Sequence, residues 1–318
     1  MSDDVLLEQL RPRAFAVAYR MLGSVSEAED VVQESLLRVH KAVSSGERLQ
    51  SPQAFVTTVA TRLAITELQS ARSRREQYAG DWLPEPLLTS AAPAPSASAA
   101  PDPAEAAETS DSVSLALLVL LESLSPEQRA AFLLHDVFDY DYPDIASIIG
   151  KSEDNTRQLA ARARKHVHDG RGRYQATPAR HDELVRRFHA AAVDGDLAGL
   201  EALLAEDVTM CGDGGGKVPA LGRTVQGRHR VAKTLVNGTR AFGGLPGVTF
   251  TVAEVNGGPG LVYRDAQDRI LGVMGLDVVD GRIASVDAVV NPDKLRHLGE
   301  VGDTVALLAA GRGDGARG

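Results

Sequence analysis

The stretch MCGDGGGKVPA, Met210 to Ala220, sets three consecutive glycines before a lysine. A phosphate-binding loop reads G-x-x-x-x-G-K-[S/T]: its backbone N–H groups cradle phosphate and its final hydroxyl holds magnesium. Here Val218 follows Lys217, and the first glycine of the pattern falls on Cys211. The pattern fails at both positions. The run reads instead as a tight turn between strands, where glycine takes positive φ without steric cost. Arginines offer a different chemistry. Arg157, Gln158 and Arg162 stand near the start of an arginine-rich run, with Arg164 and Lys165 behind them. Arginine pairs with guanine and glutamine with adenine in the major groove. Arg164 and Lys165 are placed to meet phosphate, which positions without specifying. A second basic set, Arg72, Arg74 and Arg75 in SARSRREQY, follows a run that carries Arg62 and Thr66.

These side chains need elements to hold them. In DYPDIASIIGKSEDNTRQLAARARKHVH, Pro143 opens a short helix with apolar Ile145, Ala146, Ile148 and Ile149, and Gly150 ends it. Ser152 caps the next helix, and Glu153 and Asp154 occupy its first turn, where the helix dipole favours acids. Two short helices joined by a glycine turn, the second rich in arginine, form a helix-turn-helix, with the start of the second helix facing base edges. Residues 1 to 80 also read as helices. SEAEDVVQESLLRVHKAV has apolar residues at three- and four-residue spacing and a capping-box spacing from Ser26 to Glu29. Ser51 and Pro52 open a further helix, and SPEQRAAFLLHDVF repeats that Ser-Pro start. From about Thr177 the texture changes. Two helices, the strand DVTMC and a helix around GRHRVAKTLVNGTRAF precede four strand-like runs split by Gly-Gly, Gly-Pro and Asp-Gly breaks. That order predicts an α+β domain with helices on one face of an antiparallel sheet.

The 318 residues suffice for two or three domains. Net charge is −9, which alone disfavours nucleic acid, yet the charge is unevenly placed. Six acids and no Lys or Arg lie from Asp81 to Asp111; six bases against Asp169 alone lie from Arg157 to Arg173. A local basic face matters more for DNA than the total. Thr89 to Ser112, built from Ala, Pro, Ser and acids, cannot bury a core and reads as a linker. A single cysteine, Cys211, excludes an internal disulfide framework and fits a reducing compartment. The acidic start and the lack of an 18-residue apolar run argue against a signal peptide or a membrane span. The cytoplasm is the expected location. No cofactor is implied, and no His/Cys/Asp grouping has metal-ligand spacing.

The first half resembles the extracytoplasmic-function (group IV) sigma factors of bacterial RNA polymerase. AYRMLGSVSEAEDVVQESLLRVHKA is similar to the core of their region 2, AFVTTVATRLAITELQSARSRR to the part that reads and opens the −10 element, and LSPEQRAAFLLHDVFDYDYPDIASIIGKSEDNTRQLAARARKHV to region 4, which reads the −35 element. The resemblance implies two all-α modules that bind promoter DNA and core polymerase, region 2 on the β′ clamp helices and region 4 on the β flap. It places Arg157, Gln158 and Arg162 at −35 bases. It places Arg62, Thr66, Arg72, Arg74 and Arg75 at the −10 element, with Thr66 near the position where relatives often carry Asn or Asp.

The second half resembles a SnoaL-like domain, of the nuclear-transport-factor-like cone fold, which the SigJ-type subgroup carries at its C-terminus. Three motifs accompany that fusion, and each is present: WLPEP (Trp82, Leu83, Pro84, Glu85, Pro86), DGGGK (Asp213, Gly214, Gly215, Gly216, Lys217) and NPDKL (Asn291, Pro292, Asp293, Lys294, Leu295). The resemblance implies region 2 over 1–80, a linker over 81–112, region 4 over 113–173, the SnoaL-like domain over 178–298 and a flexible tail over 299–318. The expected function is promoter-specific initiation, modulated in cis by the fused domain. Trp82, beside two stiffening prolines, is a natural anchor, and the DGGGK and NPDKL loops are its receiving surface. SnoaL-like relatives include enzymes, for which Asp207, Asp213 and Asp277 are the candidates here, while His189 and His229 lie on helices, where exposed or core-satisfied histidine is the commoner state; no catalytic residue is assigned. A small ligand in the C-terminal domain and a purely protein-contacting domain both stay open. The rivals to a sigma factor are a one-component helix-turn-helix regulator and a DNA-tethered enzyme.

Overall fold

The computed structural model describes residues 3–46, 48–76, 78–89, 114–170, 178–243, 245 and 247–314, except for the side chains of 3, 71–76, 170, 178–182, 240–243 and 310–314. The chain divides into two compact units, Met1–Gln77 with Leu118–Gly170, and Tyr78–Leu117 with Arg171–Gly318.

The first unit is all-α. Helices α1 (Asp3–Leu22), α2 (Val25–Ser44) and α3 (Pro52–Glu76) bury Leu10, Ala14, Val32, Val39 and Val56 against one another. The cap of α2 is Ser24, whose hydroxyl accepts from the Glu27 N–H at 3.2 Å, and not Ser26 as the spacing predicts. Gly23, at φ 66, turns the chain immediately after α1, so α2 starts two residues earlier. Ser51 caps α3 as expected, accepting from the Ala54 N–H at 3.2 Å.

Four further helices follow: α4 (Leu115–Glu122), α5 (Pro126–Asp136), α6 (Tyr142–Ile149) and α7 (Glu153–Gly170). Ser125 and Gln128 form a reciprocal capping box at the start of α5. Gly150 ends α6 in the left-handed region at φ 68, its N–H returning to the Ala146 carbonyl, a conformation a side chain would strain. Ser152 caps α7, accepting from the Asn155 N–H at 3.3 Å. Ile145 and Ile148 of α6 pack with Ala131 and Leu134 of α5 and Ala160 of α7. The helix-turn-helix is therefore present, and it turns the opposite face of α7 outward. Arg129 of α5 is buried, donating to the Leu121 carbonyl from Nε at 2.9 Å and to the Met21 carbonyl of the first three-helix group.

The second unit is α+β. Helices α8 (Pro178–Asp194), α9 (Leu197–Leu203) and α10 (Arg228–Gly243) pack on a sheet of β1 (Leu204–Asp213), β2 (Val225–Gln226), β3 (Thr249–Val255), β4 (Gly258–Arg264), β5 (Ile270–Val279) and β6 (Arg282–Val289). The strand order is β2-β1-β6-β5-β4-β3. The sheet is antiparallel except between β1 and β6, which run parallel with Cys211 beside Asp287 and Asp213 beside Val289. This departs from the all-antiparallel expectation, because β1 enters from the helices and β6 from the β5 hairpin. The core joins Phe188, Leu200, Val231 and Leu235 from the helices to Met274, Ile283 and Val286 from the sheet.

Two boundaries differ from those the sequence suggests. Residues 299–318, expected as a flexible tail, contain a parallel bridge from Val301 to Ile270 and a helix, α11 (Thr304–Asp314). At the start of β5 the Ile270 N–H donates to the Glu300 carbonyl at 2.8 Å and the Ile270 carbonyl accepts from the Gly302 N–H at 2.9 Å. The WLPEP segment, expected in the linker, packs as part of the second unit. The linker from residue 90 to 113 lies outside the described residues.

Candidate functional site: the arginine helix and the strap junction

Helix α7 buries Thr156, Ala160, Ala163 and Val167, leaving Arg157, Gln158, Arg162, Arg164 and Lys165 exposed. Arg157 lies over the Tyr142 ring, 4.5 Å from its centroid, and pairs with Glu153 one turn back. The ring and the carboxylate hold the guanidinium at the mouth of the helix-turn-helix. Arg164 differs from its neighbours. Its Nε and Nη2 donate to the two Asp136 oxygens at 2.8 and 3.0 Å, which raises its pKa above the usual guanidinium range. The pair braces α7 against α5.

The second basic set is also divided. Arg62 donates from Nε to the Ile148 carbonyl and from Nη2 to the Ser147 carbonyl, both at 2.9 Å. It thereby caps the last turn of α6, where unpaired carbonyls and the helix dipole favour a cation. Thr66 is exposed, with its hydroxyl donating to the Arg62 carbonyl at 3.0 Å. Arg72, Arg74 and Arg75 lie on the last turns of α3, and their side chains are outside the described residues.

In the second unit the three motifs converge. Residues Tyr78 to Thr89 form a strap on the sheet domain. Asp213, fully buried at the end of β1, accepts from the Tyr78 hydroxyl at 2.6 Å, the Leu83 N–H at 2.9 Å, the Gly215 N–H at 3.0 Å and the Lys294 ammonium at 2.7 Å. Lys294 is 6% exposed. Its Nζ also donates to the Leu83 carbonyl and lies 3.9 Å from the Trp82 ring centroid and 5.0 Å from that of Tyr78. An ammonium removed from water is costly unless paired and hydrogen-bonded, and two oxygens and two aromatic faces receive this one. Asn291 donates to the Tyr78 hydroxyl at 2.7 Å, while its own N–H and that of Val290 reach the Asp213 carbonyl. Burial, followed by the hydrogen bond to Asp213, raises the Tyr78 pKa above the phenol range.

The glycine run now has a role. The Gly215 N–H faces the chain's own Asp213 carboxylate, and those of Lys217 and Val218 turn back to the Gly214 carbonyl. A Cβ on Gly214 would stand 2.1 Å from the Val218 oxygen, and one on Gly215 2.2 Å from the Asn291 amide. Glycine is what lets the DGGGK loop close on the NPDKL turn. Lys217 then pairs with exposed Asp293 across the two loops.

Further along the strap, Pro84, Glu85 and Pro86 are buried. His297 donates from Nε2 to the Pro86 carbonyl at 2.7 Å, and the Leu87 N–H reaches the Asn256 side-chain oxygen at 2.8 Å. Leu88 bridges Val255 of β3. Pro292 opens the short 3-10 turn Pro292–Lys294, and Leu295 is buried behind it. Tyr78, His297 and Asn256 are participants that sequence reasoning missed. Tyr78 stands four residues before Trp82, but nothing local marks it as the partner of a residue 135 positions away.

The candidate acid–base residues do not share a site. Asp207 is exposed, His229 pairs at the surface with Glu201 at 2.7 Å, and Asp213 belongs to the junction. His189 packs at a tilt against Phe250, and burial lowers its pKa. Asp277 lies opposite Ser285 on the sheet, two pairs along from Asp287. Asp287 is pushed up to about 7, first by burial and then by the charge of Asp277. Cys211 beside it donates to Asp81 at 3.6 Å, and its thiol is pushed up to about 12 by burial and the neighbouring carboxylates. Among the described residues no three His, Cys, Asp or Glu could hold a metal ion, and no helix is long and apolar enough to cross a membrane.

The family models for Sigma-70 region 2 and Sigma-70 region 4 match residues 6–74 and 114–167. The chain is 38% identical over 298 residues to the ECF RNA polymerase sigma factor SigJ of Mycobacterium tuberculosis, covering 90% of this chain and 91% of that one. It is 32% identical over 292 residues to the probable ECF RNA polymerase sigma factor SigI of the same species, covering 90% and 93%. The crystal structure of M. tuberculosis SigJ aligns over 91% of this chain and 96% of its own, with a TM-score of 0.70 and 36% identity.

Two outcomes follow from the buried charges. Replacing Lys294 by Met leaves Asp213 buried without its cation, which costs about 3 kcal/mol. Urea unfolding should record that loss together with a changed Trp82 emission; a loss below about 1 kcal/mol contradicts the junction. Asp287 has a raised folded-state pKa, so the folded chain keeps a proton that the unfolded chain loses above about pH 4. Its contribution therefore falls as pH rises toward about 7 and is level above that. Asp287→Asn should flatten that slope in unfolding free energy, and an unchanged slope would refute the assignment.

Proposed function

We infer, for a chain that belongs to the ECF RNA polymerase sigma factors, that the strap junction is the element through which its C-terminal domain modulates initiation in cis. The protein is a sigma factor and directs promoter-specific transcription initiation. Its partners on this reading are core polymerase, through the β′ clamp helices and the β flap, and promoter DNA. A small ligand of the C-terminal domain and a purely protein-contacting role both stay open, and the expected setting is the cytoplasm. One observation carries the cis reading. Tyr78 is hydrogen-bonded to Asp213, and in sequence only Gln77 separates it from the end of α3. The arginines assigned to the −10 element thus sit directly before the strap. Whatever loosens the junction changes the constraint on the chain leaving region 2.

On the −35 side, Arg157, Gln158 and Arg162 read bases and Lys165 meets phosphate. Arg164 braces the helix through Asp136 and reaches phosphate only by leaving that pair. On the −10 side, Arg62 must leave the carbonyls of α6 before it engages DNA. Region 4 release and −10 engagement are then linked steps, because one guanidinium serves both.

Arg157→Ala should cost about 1–3 kcal/mol and relax discrimination at one −35 position, whereas Lys165→Ala should weaken all sequences alike and lower the salt slope by about 1. Run-off transcription and holoenzyme binding across −35 variants and salt concentrations measure both effects. Unchanged discrimination by Arg157→Ala rejects the base-reading assignment. Run-off from the same promoter by the full chain and by a chain ending near residue 175 tests the cis role; equal transcripts reject it.

A further inference from the structure

The sheet domain holds a partly open cavity of about 270 Å³ between α10 and the sheet. Its wall is almost wholly apolar: Leu235, Phe250, Leu271, Met274 and Val290 contribute to it, and no Asp, Glu, His, Lys or Arg does. An ion entering such a space without a partner would meet a prohibitive desolvation cost, so the lining selects an uncharged occupant.

Three hydroxyl-bearing residues interrupt the apolar wall, Thr234, Thr239 and Tyr263, and the Thr234 hydroxyl is taken up by the Arg230 carbonyl at 2.8 Å. Tyr263 lines the cavity, and its hydroxyl donates to the Met274 sulfur at 3.3 Å. A thioether is a weak acceptor, whereas a buried tyrosine hydroxyl ordinarily finds a full hydrogen-bond partner. The phenol stays protonated, its pKa raised by burial, and is held edge-on by Phe250 at 4.8 Å. It is a fixed donor matched with a poor acceptor. Gly238 of α10 supplies the second observation. It lines the cavity, and a Cβ built there meets nothing within 4 Å. Glycine inside a helix costs about 1 kcal/mol relative to alanine, and here it leaves open the volume that a side chain would occupy.

The cavity adjoins the junction through the chain itself. Gly212 and Val290 line it, and the residues that follow them, Asp213 and Asn291, hold Tyr78. A molecule that moved the ends of β1 and β6 would move both groups.

We propose that this cavity binds an uncharged, mostly apolar small molecule whose single hydrogen-bond acceptor, a carbonyl or ether oxygen, is received by the Tyr263 hydroxyl, and that occupancy is felt at the Asp213–Lys294 junction. The second clause alone rests on the cis-regulatory reading.

The test titrates the full chain with cyclooctanone and with cyclooctane, a matched pair with and without the acceptor, by calorimetry. Both should bind saturably, the ketone about fivefold more tightly, the advantage of roughly one net hydrogen bond. Tyr263→Phe should erase the preference and keep the hydrocarbon. Gly238→Leu should abolish binding of both probes while melting at or above the native temperature. Trp82, the single tryptophan, should change its emission on saturation in the native chain and not in Gly238→Leu. Absence of saturable binding, binding undiminished in Gly238→Leu, or a ketone preference that survives Tyr263→Phe overturns the site. Saturable binding with constant Trp82 emission overturns the coupling and leaves the site standing. Equal run-off transcripts from the full and shortened chains would remove the regulatory reading without touching the binding result.

Discussion

The ammonium of Lys294 and the carboxylate of Asp213 meet inside the protein, 2.7 Å apart, and the C-terminal half is arranged around that meeting. Neither charge is tolerable alone at that depth. Their pairing therefore requires the other groups that satisfy them: the Leu83 backbone, the Tyr78 hydroxyl, the Trp82 ring and the Gly215 N–H. Three segments distant in sequence are thus needed at one point, and the glycine loop is shaped by that need. It resembles a phosphate cradle in that one of its N–H groups, that of Gly215, does face an anion, and the anion is the chain's own.

The first half is held by arginines in a comparable way. Arg129 reaches carbonyls of two helical groups, Arg62 caps α6, and Arg164 braces α7. Guanidinium suits this work because its planar fork serves several acceptors and remains charged when partly buried. Arg20 illustrates the limit: burial lowers it to about 10, still well above neutral pH. The outward face of α7 keeps Gln158, Arg162 and Lys165 exposed for a partner. On the proposed reading, the protein thus divides its cations between holding the fold and meeting DNA.

That division explains what the sequence made legible. The helix-turn-helix could be read because its signals are local: a Ser cap, acids in the first turn and a left-handed Gly150. The α+β order was legible from the breaks between strands. The Ser24 cap was missed because Ser24 and Ser26 offer the same chemistry two residues apart, and only the turn at Gly23 decides between them. The structural engagement of Arg62 and Arg164 was illegible, since charge type says nothing of which acceptor lies nearby. The junction was visible as three motifs and as an expected docking of Trp82, but its centre was not. Lysine is rarely buried, and nothing near residue 294 announces a partner at 213. The helix after residue 304 reads as tail in the sequence because its anchor, Val301 against Ile270, is a single bridge between distant segments.

The central claim is that Asp213 and Lys294 act as one device in regulation. A double-mutant cycle in run-off transcription tests it most directly, comparing Asp213→Asn, Lys294→Met and the two together in the full-length holoenzyme. If the device is a unit, either single change disables it and the double variant transcribes like the singles. Additive effects of the two changes, or transcription at the native level in all three variants, would contradict the account.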